Sequence, residues 1–212
     1  MSNNPAAPEE QPVSGLQKLV SENVLAGLIT IMTILTAFTV YQASLAGGES
    51  LKSFFYAQGY LTDANSLYIE GGQEIFYDLS VYDQHVIAFR NGDDELADYF
   101  LDQLSEAGLA GLERDIDNPF DEEYFNTVYA EPNALIQEAD DAFTLAEYHN
   151  SYGDSLTLVA TILSVGLAFA AWGSLAAAHS RQRVLFAVFG TVAMLVAVLY
   201  LGWIVIFSTP PV

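Results

Sequence analysis

LTLVATILSVGLAFAAWGSLAAA (Leu156–Ala178), HSRQR (His179–Arg183) and VLFAVFGTVAMLVAVLYLGWIVIF (Val184–Phe207) follow one another without a gap. The outer stretches run 23 and 24 residues without a charged side chain. About 20 such residues, rising 1.5 Å each as a helix, cross the roughly 30 Å of bilayer hydrocarbon. A chain of 212 residues has no core large enough to hide helices that are apolar all round, so lipid is their expected solvent. The short connection holds Arg181 and Arg183, and the positive-inside rule sets it on the cytoplasmic side.

Working back along the chain, Val24–Leu45 is a third uncharged stretch, 22 residues long, with Lys18 before it. The expected organisation is a disordered cytoplasmic tail (1–23), a first span (24–45), an extracytoplasmic segment (46–154), a second span (155–178), a cytoplasmic turn (179–183), a third span (184–207) and a short outer tail (208–212). Lys18, Arg181 and Arg183 then share one side, and Tyr41, Tyr152, Tyr200 and Trp203 fall at the outer interface, where amphipathic aromatics anchor. Ser44-Leu45-Ala46 has the small residues of a signal-peptidase site, but the apolar stretch is long and its basic flank is one lysine, which favours an uncleaved anchor.

Charge is segregated as sharply as hydropathy. Of 27 acidic and 6 basic residues, residues 46–154 hold 24 acids with Lys52, Arg90 and Arg114, so this segment carries the whole net charge of −21. Such a surface repels phosphates, so a nucleic-acid role has no electrostatic footing. The same acidity is also how a protein stays hydrated in a salt-rich habitat. With no cysteine there is no disulfide, thiolate metal site or cysteine nucleophile.

The acidic segment reads as helical, which makes the whole chain an all-α membrane protein with its acidic domain built on extensions of the first two spans. Leu61, Ala64, Tyr68, Gly71, Ile75, Leu79, Tyr82, Val86 and Phe89 recur at steps of three or four, one stripe of a long helix. Gly47-Gly48 is a candidate joint, and Gly71-Gly72 marks either a kink or a close approach. Asn91-Gly92 is the expected stop. A second helix is expected over Asp93–Ala107 with Leu96, Phe100 and Leu104 inward, and Gly108 and Gly111 are expected to loosen the segment after it. A third begins at an Asn118 cap with Pro119 in its first position, and a last one near Pro132 or Asn133 continues into the second span, with Leu135, Ala139, Ala142, Ala146 and His149 on its stripe.

Tyr41-Gln42-Ala43-Ser44, the Asn118-Pro119-Phe120 to Tyr124 element, the alanine- and acid-rich 134–149 and Asn150-Ser151-Tyr152-Gly153-Asp154 together give the chain a likeness. Over about residues 24–208 it resembles an uncharacterised prokaryotic family of three-span membrane proteins with a helical extracytoplasmic insertion between the first two spans. The resemblance implies a multi-pass protein of the cytoplasmic membrane and no particular activity. This chain departs from that family in having far fewer basic residues in the insertion.

Catalytic signatures are sparse. Asp115-Ile116-Asp117 opens like a calcium loop, but Phe120 stands where glycine is needed and Asn126 where glutamate is, which excludes an EF-hand. A looser divalent-cation site would draw on Asp115, Asp117, Asp121, Glu122 and Glu123, whose alternative reading is a helix start with acids facing the macrodipole. His85 and His149 each follow an acid by two residues, a spacing that points to different helix faces, so a metal held by both requires their two helices to meet. There is no nucleophile elbow, phosphate loop, dinucleotide fingerprint or zinc-protease motif, and no cofactor is expected. The spans hold no Asp, Glu, Lys, Arg or His, which argues against a pump or carrier. Thr30, Thr33, Thr36 and Thr39 form a polar row or bond their own backbone. Gly166, Ala170, Gly173, Ala177 and Gly190 are candidate helix-packing positions.

Ten tyrosines and eight phenylalanines stand among the acids of residues 46–154, more than a small core needs. The expected function is a non-catalytic accessory or scaffolding subunit whose acidic head binds membrane or extracytoplasmic protein subunits. The alternative is a homo-oligomer that binds or conducts cations through an acidic vestibule. Because cysteine is absent, single-cysteine variants report the membrane sides. Asn91→Cys is expected to react with an impermeant maleimide on intact cells and Ser180→Cys only after permeabilisation; the opposite pattern inverts the topology.

Overall fold

A computed structural model describes residues 21–178 and 180–208, so Lys18, most of the amino-terminal tail and the last four residues lie outside the described residues. Six α-helices and no strand occur among the described residues: α1 (Glu22–Arg90), α2 (Asp94–Leu101), α3 (Glu106–Arg114), α4 (Glu122–Val128), α5 (Ala130–Leu175) and α6 (Arg181–Phe207). Three of them, α1, α5 and α6, are long and apolar enough to cross a membrane. The chain divides into two compact units, residues 51–146 and residues 1–50 with 147–212.

No proline falls between Pro12 and Pro119, and α1 runs through 69 residues without a break. Gly47-Gly48 is therefore no joint, and Ser44–Ala46 sits within the helix. The helix stops where expected, because Gly92 takes a left-handed backbone with φ of 75°. Its buried positions follow a seven-residue step. Leu25, Met32, Thr39, Ala46 and Ser53 form one series, and Ala57, Ala64, Gly71 and Asp78 a second. On α5 the same step joins Pro132, Ala139, Ala146, Gly153 and Ala160. A period of 3.5 is that of helices coiled about one another.

Within the acidic unit this seam corrects the expected stripe. Ala64 and Gly71 lie on it, but Leu79 and Phe89 are exposed, and Ser53, Ala57 and Asp78 are buried in place of large apolar side chains. Gly71 is a close approach rather than a kink, since a Cβ there would stand 3.0 Å from the Val128 methyl and 3.2 Å from the Tyr129 ring.

The short helices also differ from expectation. Asp93–Ala107 is two helices, because Ser105 caps α3 and accepts from the Gly108 amide at 3.0 Å. Ala97 is the buried residue of α2, and Leu96 is exposed. Gly108 and Gly111 lie inside α3 and pack it tightly: a Cβ on Gly111 would meet the Pro119 carbonyl oxygen at 2.1 Å. Asp121, not Asn118, caps α4, accepting from the Tyr124 amide at 2.8 Å. The α5 helix starts at Ala130, and Pro132 fits its first turn, where no intrahelical amide is needed.

In the unit of residues 1–50 and 147–212, Leu25, Leu28, Met32, Val159, Leu163 and Ala170 pack with Ala187, Ala197 and Ile204. Small residues set the distances. A Cβ on Gly166 would lie 2.9 Å from the Ala193 methyl, one on Gly190 3.1 Å from the Gly166 oxygen and 3.3 Å from Ala170, and one on Gly173 3.4 Å from Phe186. Ala177 takes no part, because α5 ends at Leu175 and Ala177 is exposed in the turn. Ser180 caps α6, so Arg181 and Arg183 belong to its first turn. Positive charge is unfavourable at a helix start, but Arg183 is buried and its Nη1 donates back to the Ala176 carbonyl at 3.4 Å, where the departing helix presents negative carbonyls. Each of the four threonines of the first span bonds the carbonyl four residues earlier, at 2.8–2.9 Å. Gly190→Val is expected to cost about 1–3 kcal/mol in denaturant unfolding of the detergent-solubilised protein. Gly202→Val, with nothing within 4 Å of its Cβ, is expected to be close to neutral.

Candidate partner-binding surface of the acidic unit

The side chain of Asp78 organises residues 51–146. It is fully buried on the seam of α1 and meets three donors: the Ser105 amide at 2.8 Å, the Ser105 hydroxyl at 2.6 Å and the Tyr124 hydroxyl at 2.8 Å. Gly108 gives it room, since a Cβ there would lie 2.9 Å from the Asp78 carboxylate. One carboxylate thus fixes both the start of α3 and the position of α4. Burial, followed by the hydrogen bond to Asp78 and its charge, raises the Tyr124 phenol above its ordinary 10.0.

The candidate metal ligands are dispersed among other tasks. Asp121 is bridged by Arg114 at 2.6 and 3.1 Å, and that contact with the Tyr124 amide lowers its carboxyl to about 2. Its stabilising contribution is complete above the ordinary 3.8 and is lost as pH falls through about 2. Asp115 accepts from the Asp117 amide at 3.0 Å, and Glu122 is exposed in the first turn of α4. His85 directs Nδ1 at the Ala97 carbonyl, 3.0 Å away, and stacks on Phe89. His149 lies in the other unit with its ring against Tyr148. Among the described residues no three His, Asp or Glu side chains group to hold a metal.

What the acidic unit does present is aromatic and apolar surface. Phe55, Ile69 and Phe76 are 66, 64 and 75% exposed, and each stands two residues before a buried seam position, Ala57, Gly71 and Asp78. Two residues is about 200° of helix, so these three share the face turned away from the seam. Ile87, at 59% exposed, extends it. Beside the seam, Ser53, Tyr56 and Tyr60 of α1 and Glu138, Asp141, Ala142 and Leu145 of α5 line a groove of about 450 Å3.

No family model, curated protein or solved structure matches the chain.

Neither Asp78 nor the groove was among the expected sites. The signal for Asp78 was one acid set into an otherwise apolar stripe, between Ile75 and Tyr82. The signal for the groove was Tyr56 and Tyr60 at four residues and Glu138 and Asp141 at three, each pair on one helix face. Because the folded state holds the Tyr124 phenol protonated, its contribution is complete below pH 10 and is lost as pH rises beyond it. Tyr124→Phe is expected to cost about 1–2 kcal/mol at neutral pH through the lost hydrogen bond and to flatten the fall in stability above pH 10, read by thermal unfolding in detergent.

Proposed function

We propose that the chain is a non-catalytic accessory or scaffolding subunit of a membrane assembly, held by three spans, whose acidic helical segment stands outside the cytoplasm and binds a partner protein. The observation that carries this reading is the exposed face of Phe55, Ile69, Phe76 and Ile87. On a lipid-facing helix such residues need no explanation, but here they belong to a segment with a charge of −21, which lipid does not solvate. Large apolar side chains repeated along one exposed face of an acidic unit are surface that an interaction site uses. Aromatic side chains supply contact area at low entropic cost, and the surrounding acids select partners of opposite charge.

Purification of the native protein in mild detergent tests the proposal. A second polypeptide is expected to co-migrate at fixed stoichiometry, and Ile69→Asp with Phe76→Asp is expected to release it without changing the unfolding temperature. A clean monomer overturns the accessory reading. A homo-oligomer around a central axis supports the cation-handling alternative in its place.

A further inference from the structure

The groove of Tyr56, Tyr60, Glu138 and Asp141 has one aromatic wall and one anionic wall. Tyr56 is 57% exposed, and both carboxylates face solvent. Among the described residues neither Glu138 nor Asp141 makes an ion pair or side-chain hydrogen bond, whereas Asp78 and Asp121 are fully engaged. No basic side chain lines the groove. Its remaining lining, Ser53, Ala142 and Leu145, offers small and apolar surface.

We propose that this groove seats an arginine side chain from a basic segment of the partner protein. The inference rests on the accessory-subunit reading and specifies its partner. A guanidinium is flat, weakly hydrated and always charged. It stacks on a phenol ring with its face while its edge donates to carboxylates, and its methylene stem lies along apolar surface. The groove supplies all three at once. A small metal ion would find two carboxylates and no third acidic or histidine ligand there. A second copy of the chain is opposed by charge, since residues 46–154 carry −21 and only three basic residues.

The test uses the full chain in mild detergent and a fluorescent amphipathic helical peptide with arginines along one face, compared with its citrulline counterpart of equal shape and no charge. Fluorescence anisotropy is expected to show binding of the arginine peptide and at least about tenfold weaker binding of the citrulline peptide. Glu138→Gln with Asp141→Asn is expected to weaken binding about tenfold, and Tyr56→Ala with Tyr60→Ala by a similar factor. Tyr56→Phe with Tyr60→Phe keeps the ring faces and is expected to stay within about twofold. Asp83→Asn with Asp98→Asn removes the same charge from exposed positions elsewhere on the unit and is also expected to stay within about twofold. Equal losses from the two charge-removing pairs would mean that the diffuse field binds the peptide, and would overturn the proposal, as would no binding at all. If the peptide fails while a native subunit still co-purifies, the groove assignment falls and the accessory reading stands.

Discussion

Ser53, Ala57, Ala64 and Gly71 on α1, with Ala139 and Ala146 on α5, are buried although none carries more than one side-chain carbon beyond the backbone. Burial of such residues removes little apolar area from water, so the attraction has to come from backbones brought close together and from dispersion between them. That closeness dictates the rest of the acidic unit. A large side chain does not fit between the helices, so the aromatic residues of α1 are driven to its flanks and its far side. Tyr56 and Tyr60 line a groove, Phe54 meets the Phe143 edge at 5.5 Å, and Phe55 and Phe76 stand in solvent. The exposed aromatics are a consequence of the seam.

Asp78 is the exception that makes the seam specific. A carboxylate at a buried position is costly unless its oxygens are satisfied, and here three donors from two other helices satisfy them. Alanines alone would let short helices slide over α1; Asp78 fixes Ser105 opposite one point on it and draws Tyr124 to the same place. Gly108 is required because the cap residue and the carboxylate must approach within a distance that a methyl group would occupy. The break before Ser105 and the close approach at Gly108 thus have one cause.

How much was legible in the sequence depended on the range of the physics. The three apolar stretches were readable because lipid acts on every residue of a span independently, and Gly166, Gly173 and Gly190 because close helix contacts admit few residue types. The stop at Asn91-Gly92 was readable because a left-handed backbone is a local demand. The seam departs from the expected stripe by one residue after Ile75: Leu79, Tyr82 and Phe89 each follow a buried position, Asp78, Val81 and Ala88, because a strict seven-residue step does not admit two successive steps of four. Arg183 was readable as a basic residue in the connection between two apolar stretches and not as a cap, since its acceptor, the Ala176 carbonyl, lies at the end of the preceding helix. Asp78 and the groove were hidden for the same reason, their partners lying 27 to 46 residues away or on another helix.

Net charge and aromatic surface look like opposite properties, yet on the accessory-subunit proposal they divide one task. Acids spread over residues 46–154 act at a distance of about a Debye length, roughly 8 Å in physiological salt, and bias which partners arrive. They hold weakly once water and salt screen them. Aromatic faces act only on contact and are indifferent to salt, so they set how long an arrived partner stays. A unit with acids alone would gather cations without discrimination, and one with aromatics alone would associate with itself in the crowded plane of a membrane. Setting Tyr56 and Tyr60 against Glu138 and Asp141 requires a partner to be both flat and positive at one point, a demand that a solvated metal ion or a neutral apolar helix does not meet.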